Sequence, residues 1–190
     1  MIKNYFYDTI YKKEKNGVIE TMKKLFLPDY IIENYRELAP SFLLDRGINT
    51  LILDIDNTLV TYDDECPTSE LYEWFSQLSQ NGIKVAFVSN NSKERVDLFN
   101  SELSYIAFSK SQKPLVKNIK KAISLLGSTC SETALMGDQL FTDMMAGNRL
   151  GFLTILVSPI KDKTDVFTKL KRQLEKPLLK KYHKNTKGKM

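Results

Sequence analysis

Thr50-Leu51-Ile52-Leu53-Asp54-Ile55-Asp56-Asn57-Thr58 is the stretch that decides the fold of this chain. Thr50 to Leu53 reads as a short buried strand bounded by polar residues, and it ends on an acid. A second acid follows two positions later. Two carboxylates this close at the end of a buried strand repel each other unless a cation lies between them. The pair therefore points to a site rather than to a helix cap or a turn.

Outward from this stretch, strand and helix alternate. After Pro67-Thr68-Ser69, the residues Leu71, Trp74, Phe75 and Leu78 make one apolar helical stripe, which Asn81-Gly82 stops. Ile83 to Val88 reads as a buried strand ending at Ser89-Asn90-Asn91, and a helix begins near Ser92. Tyr105 to Phe108 is a third strand. Lys113-Pro114 is expected to open the next helix, with Pro114 in the first turn, where proline is favoured. Val116, Ile119, Ile123 and Leu126 form its stripe, and Gly127 ends it. Thr133 to Met136 is a fourth strand that runs into Gly137-Asp138, a short helix runs from Met144 to Leu150, and Phe152 to Val157 is a fifth strand. Leu25 to Leu44 is apolar enough to pack on this body, as helices around Pro28 and Pro40.

Strands alternating with helices pair in parallel through right-handed crossovers. The expected fold is α/β: a three-layer Rossmann-like parallel sheet with helices on both faces. Ligands of such sheets bind at the carboxyl ends of the strands. Asp54, Ser89, Lys113 and Asp138 all follow strands in this way. Singly, a serine or lysine after a strand is a turn or a solvated residue. Four functional side chains at four successive strand ends are harder to explain as turns.

Asp54, Asp56, Asp138 and Asp143 are clustered acids without histidine or thiolate partners, a donor set that suits a hard cation, with magnesium the usual companion of phosphate. With charge neutralised by the metal, a carboxylate can attack phosphorus and form an aspartyl-phosphate that water hydrolyses. Ser89 and the backbone amides after it, beginning with Asn90, can hold phosphate oxygens at a helix start. Lys113 supplies a positive charge for the transition state.

These four segments resemble the motifs of the haloacid dehalogenase superfamily: Asp54-Ile55-Asp56-Asn57-Thr58-Leu59-Val60, Val88-Ser89-Asn90-Asn91, Lys113-Pro114 and Gly137-Asp138-Gln139-Leu140-Phe141-Thr142-Asp143. The resemblance implies Asp54 as nucleophile and Asp56 as general acid and then base. It also implies magnesium held by Asp54, the Asp56 carbonyl and Asp138, with Asp143 orienting the metal's water shell. Ser89 would bind phosphate, and Lys113 would fix both phosphate and nucleophile. An aspartate at position 56 follows the pattern of the superfamily's phosphatases rather than of its dehalogenases or ATPases. Only 30 residues separate Thr58 from Ser89 and 21 separate Asn91 from Lys113, so no cap domain fits between the motifs. An open site of that kind suits a large or surface-bound substrate.

Leu27-Pro28-Asp29 and Gly147-Asn148-Arg149-Leu150-Gly151 narrow the resemblance to YqeG-type phosphatases of class IIIA over roughly 22–175. These are related to the mitochondrial phosphatidylglycerophosphatases, which implies a phosphorylated lipid at an anionic membrane surface as the partner. Residues 1–21 read as an added extension, with Met22 as an alternative start.

Charge divides the 190 residues further. Residues 1–24 carry six lysines against three acids, net +3, and 161–190 carry eleven basic residues against three acids, net +8. The middle, 25–160, holds eleven basic and seventeen acidic residues, net −6. The expected organisation is a basic extension over 1–24, the phosphatase domain over 25–160, and a basic helix and tail over 161–190. Val166, Phe167, Leu170 and Leu174 form a stripe ringed by Lys169, Lys171, Arg172 and Lys176, which is a membrane-surface pattern and equally that of a helix packed on the domain.

No apolar run approaches the roughly 20 residues that span a bilayer. Two cysteines, Cys66 and Cys130, fit a reducing cytosol, so the expected location is cytoplasmic, peripheral on the inner membrane face. A single histidine, His183, disfavours a His-built zinc site. Neither cysteine starts a Cys-x5-Arg loop and no Gly-x4-Gly-Lys-Ser/Thr loop exists, which excludes cysteine phosphatases and P-loop NTPases. Two other readings stand beside the lipid phosphatase: the same chemistry on a soluble phosphoester or phosphoprotein, and a non-catalytic module binding RNA or a partner through its basic ends. The intact acids and Lys113 disfavour the latter, and nucleic acid with it.

Overall fold

Tyr30–Ile32 (β1), Thr50–Leu53 (β2), Lys84–Val88 (β3), Ile106–Phe108 (β4), Thr133–Gly137 (β5) and Leu153–Val157 (β6) pair into one sheet of six strands in the computed structural model, which describes residues 25–161. All neighbours are parallel and the order is β1-β6-β5-β2-β3-β4. From β2 the chain moves outward through β3 to β4, then returns to the other side for β5 and β6. The order therefore reverses between β2 and β5, where Leu53 pairs with Met136. Ligand crevices form at such reversals, outside the strand ends. Asp54 and Asp138 follow the two strands that flank it.

Period-two alternation divides the core between the two faces. Leu51, Leu53, Val85, Phe87, Ala134, Met136, Ile155 and Val157 point to one side. There they meet Leu71, Trp74, Phe75 and Leu78 of α2 (Ser69–Gln80) and Val96 and Phe99 of α3 (Lys93–Asn100), while α1 (Pro40–Leu44) adds Leu43. Ile52, Ala86, Val88, Leu135 and Leu156 point to the other side. There they meet Ile119, Ala122 and Ile123 of α4 (Lys117–Leu125) and Ala146 of α5 (Met145–Leu150). Helices thus cover both faces, as expected. Trp74 donates its indole N–H to the Leu38 carbonyl at 3.0 Å, which satisfies its one polar atom inside the core. Residues between Thr58 and Ser89 are used up by a loop, α2 and β3, and those between Asn91 and Lys113 by α3 and β4. No cap domain is inserted at either place.

Two segments differ from expectation. Leu25 and Phe26 are helical, but from Leu27 onward the chain is extended, and Tyr30–Ile32 adds a sixth strand at the sheet edge beside β6. The reason lies in tertiary bonds. Asp29 Oδ2 accepts from the Thr154 backbone N–H at 2.8 Å and from its hydroxyl at 2.9 Å, and Asn148 Nδ2 donates to the carbonyls of Leu25 and Leu27 at 3.0 and 2.9 Å. The Leu27-Pro28-Asp29 and Gly147–Gly151 segments, far apart in sequence, are thus bonded through Asn148 and Thr154. Only Pro40 opens a helix in this region.

The second difference concerns Lys113-Pro114, which does not open α4. That helix starts at Lys117, and Lys113 lies in a turn before it. The side-chain amide of Asn90 holds both backbone groups of Lys113: Oδ1 accepts from its N–H at 2.6 Å and Nδ2 donates to its carbonyl at 3.1 Å. A residue bound on both sides in this way cannot also enter the helical hydrogen-bond ladder. The sequence-read basic stripe over 166–174 and the extension over 1–24 lie outside the described residues.

Candidate active site

Asp54 leaves the carboxyl end of β2, still held by a backbone bond from its N–H to the Met136 carbonyl at 3.0 Å. Asn57 then takes φ 62°, a left-handed conformation that asparagine tolerates better than most residues. The turn this produces is pinned from the far end of the domain. Ile160 N–H donates to the Asn57 carbonyl at 3.3 Å and Lys161 N–H to its Oδ1 at 3.2 Å. Asp138 leaves β5, and Asp143 lies one turn further on, in the wide helical turn Leu140–Met144 that leads into α5. Asp143 is fully buried, and accepts from the Gln139 N–H at 3.2 Å and from the Thr142 hydroxyl at 3.1 Å.

Asp54, Asp138 and Asp143 each turn one carboxylate oxygen to a common point, the three lying within 4.8 Å of one another. Lys113, also buried, reaches into the same place. Its Nζ stands 2.9 Å from Asp54 Oδ1 and 2.6 Å from Asp143 Oδ1. Three carboxylates against one ammonium leave a negative surplus in a largely buried site. Burial pushes the Asp54 carboxyl up from 3.8 to about 6, with Asp143 and Asp56 adding repulsion and Lys113 pulling the other way. Burial alone would lower the Lys113 ammonium, but Asp143 and Asp54 outweigh it and raise it, so the lysine is charged. A hard divalent cation fits this donor set, being bound by oxygen and attracted by the surplus charge. The exposed thiols of Cys66 and Cys130 are not part of it.

The Asp56 side chain stands apart from these three. Its Oδ1 accepts from Arg95 Nε at 3.0 Å and pairs with Arg95 Nη2 at 3.0 Å, while Oδ2 accepts from Asn91 Nδ2 at 2.8 Å. The carboxylate of Asp56 is therefore not a member of the shared acid group, and only its carbonyl is left as the metal donor expected of it. Ser89 is buried at the end of β3, and its hydroxyl accepts from the Asn91 N–H at 3.0 Å, one turn before α3. The Asn90 side chain is committed to Lys113, so any contact from Asn90 to phosphate falls to its backbone N–H. Thr58 is buried, and its hydroxyl has no hydrogen-bond partner among the described residues. The loop Tyr62-Asp63-Asp64-Glu65 reaches the site through Arg95, which bonds the Glu65 carbonyl at 3.1 Å. A separate cavity of about 400 Å³ lies on the other side of the loop after Asp56, between Arg36, Val60, Asp64 and Ile160, and none of the acids of the centre lines it.

The family model described as "Mitochondrial PGP phosphatase" matches residues 15–161. The chain belongs to that family. Its motifs and its fold together place it among phosphatases of the haloacid dehalogenase type. The probable phosphatase YqeG of Bacillus subtilis (strain 168) is 39% identical over 158 residues, spanning 83% of this chain and 92% of that protein. The chloroplastic/mitochondrial phosphatidylglycerophosphate phosphatase 1 of Arabidopsis thaliana is 25% identical over 176 residues, which is 87% of this chain and 51% of that one. This chain thus spans about half the length of the plant relative. An uncharacterised protein from Listeria monocytogenes serotype 4b shares the fold, with TM-score 0.50 at 16% identity over 62% of this chain and 85% of that one.

Sequence reasoning missed Arg95, Asn91 and Gly137. For Arg95 a signal existed. It sits in the first turn of α3, where a cation opposes the helix dipole and needs another reason to be there. Gly137 and Asn91 fall within the quoted motifs, but the role of Gly137 rests on a close approach to Asp143 that only the fold creates.

Proposed function

We propose that this chain is a magnesium-dependent phosphomonoester hydrolase that works through an aspartyl-phosphate on Asp54, with phosphatidylglycerophosphate as its substrate. The observation that carries the reading is the convergence of Asp54, Asp138 and Asp143 on one point with Lys113 between two of them. Asp54, Asp138 and the Asp56 carbonyl would hold the ion, with Asp143 behind them. A bound magnesium would neutralise substrate charge and keep phosphorus electrophilic. Asp54 attacks phosphorus from its strand end. Lys113 keeps Asp54 in place and faces the charge that develops on the phosphoryl oxygens. Ser89, the backbone amides after it and the free hydroxyl of Thr58 are the neutral donors for those oxygens. Asp56 protonates the leaving alcohol and then takes a proton from the attacking water.

The lipid substrate rests on the family and on the printed name of the plant relative. It also fits a chain with no cap domain over the site, since the bulk of a membrane-bound substrate can stay outside. The basic segment 161–190 is the part suited to anionic lipid; no helix among the described residues is long and apolar enough to cross a membrane. A soluble phosphoester is the second reading, because the YqeG relative at 39% identity is named only as a probable phosphatase. Phosphate release from phosphatidylglycerophosphate in mixed micelles, set against a panel of soluble esters, decides between them. Phosphate release that persists in chelator would sink both.

A further inference from the structure

Arg95 and Asn91 hold the two oxygens of the Asp56 carboxylate from different sides. Arg95 donates Nε to Oδ1 at 3.0 Å, with Nη2 ion-paired to the same oxygen at 3.0 Å, and Asn91 donates Nδ2 to Oδ2 at 2.8 Å. The orientation of the Asn91 amide is itself fixed, since its Oδ1 accepts from the Ser92 N–H at 2.7 Å. The rest of the guanidinium is spent on backbone: Nη1 on the Glu65 carbonyl at 3.1 Å and Nη2 on the Thr61 carbonyl at 3.3 Å. Only 13% of the Arg95 side chain is exposed. With its donors used inside the protein, Arg95 is not a free cation waiting for a phosphate. Its bonds instead tie one carboxylate oxygen to the loop over 61–65.

We infer that Arg95 is a positioning residue that holds Asp56 for the second half of the reaction, the hydrolysis of the phosphorylated enzyme. The inference rests on the reading of Asp54 as nucleophile and Asp56 as acid and base. Two N–H bonds and the ion pair fix the plane of the Asp56 carboxylate and the direction in which its remaining lone pairs can face a reacting group. In the second half, water oxygen bonds to phosphorus, the bond from Asp54 Oδ to phosphorus breaks, and the water proton passes to Asp56, which restores what the first half removed. Angular control of Asp56 matters most there, because a water molecule is held less firmly than a tethered alcohol.

The test uses the full-length chain, magnesium and p-nitrophenyl phosphate, whose leaving group departs with little need of a proton. Arg95→Met keeps the stem and removes the fork, and Arg95→Lys keeps only a point charge. We expect the first turnover of nitrophenolate to stay within about threefold of wild type, while kcat falls roughly 10- to 100-fold, the span expected when an acid–base group loses its alignment. A burst near one equivalent per active site then appears, KM falls with kcat, and kcat/KM is kept. Arg95→Lys should lie between the other two. Asn91→Ala, which strips the second oxygen and leaves Arg95 in place, should give the same burst with a smaller drop and serves if the Arg95 variants do not fold. Equal losses in kcat and kcat/KM without a burst, or no change in either, would overturn the role of Arg95 alone. A wild type with no magnesium-dependent turnover would instead remove the phosphatase reading on which it rests.

Discussion

Gly137 has no side chain where Asp143 needs room: a Cβ at position 137 would stand 2.4 Å from Asp143 Cγ. Asp143 cannot yield, because Lys113, Gln139 and Thr142 already hold its carboxylate in a fully buried place. Gly137→Ala should therefore displace the acid rather than merely crowd it. Expected outcomes are a loss of about 10- to 100-fold in divalent-ion affinity, as for other supports of a metal ligand, and about 1–3 kcal/mol of stability from overpacking. Calorimetric titration with magnesium and a denaturant melt check the two separately.

Asp54 makes the metal-free protein less stable at neutral pH. Burial raises its folded carboxyl from 3.8 to about 6, so the folded state favours the protonated form. The stability this contributes is complete below 3.8 and is lost as pH rises through about 6. About two pKa steps correspond to roughly 3 kcal/mol. Asp54→Asn, inactive as a phosphatase, should melt several degrees above wild type in chelator at pH 7.5. That gap should close near pH 4 and shrink when magnesium is added to the wild type. Equal melting temperatures at both pH values in chelator would contradict it.

Lys113 is the counter-charge for two buried acids at 2.9 and 2.6 Å. Lys113→Met should destabilise the metal-free protein by about 3–5 kcal/mol, the usual consequence of leaving buried charge uncompensated. Magnesium should recover part of that loss while turnover stays at least 100-fold down, a typical effect of removing a transition-state charge. Thermal melts with and without the ion, alongside phosphate release, distinguish the structural share from the catalytic one.

The Asn90 side chain should matter for rate through Lys113. Its amide holds the backbone of Lys113 at 2.6 and 3.1 Å. In Asn90→Ala, two bonds worth about 1 kcal/mol each are lost, and Lys113 is freed to wander. We expect kcat to fall about 10-fold or more for a misplacement of this kind. Substitution of Thr68, which caps α2 and bonds neither Lys113 nor Arg95, should leave kcat near wild type.

Thr154 offers the opposite case. Its hydroxyl and N–H hold Asp29 at 2.9 and 2.8 Å, and with it the edge strand β1, far from the chemistry. Thr154→Val should cost about 1–3 kcal/mol by stranding buried polar atoms, with kcat unchanged. Loss of kcat in a variant that still melts cooperatively would show that the edge strand reaches the site.

The sequence by itself determined the sheet and the identity of the acids. Short continuous apolar runs, helical stripes such as Leu71, Trp74, Phe75 and Leu78, and the acids placed after Leu53 and Gly137 are local signals, and most of the strands, the helices and the order of the strand ends along the chain follow from them. Local signals failed where a segment's conformation is imposed from elsewhere. Tyr30–Ile32 is three residues long and became a strand because Thr154 and Asn148 seized its lead-in. Pro114, well suited by its own chemistry to start a helix, did not do so because Asn90 took both backbone groups of the residue before it. Only the tertiary structure separated the acids into a converging set, Asp54 with Asp138 and Asp143, and one held apart, Asp56 with Arg95. Spacing in the chain fixes which strand end a carboxylate leaves. Which charge it then faces is decided by the packing of helices and loops that meet only when the sheet has formed.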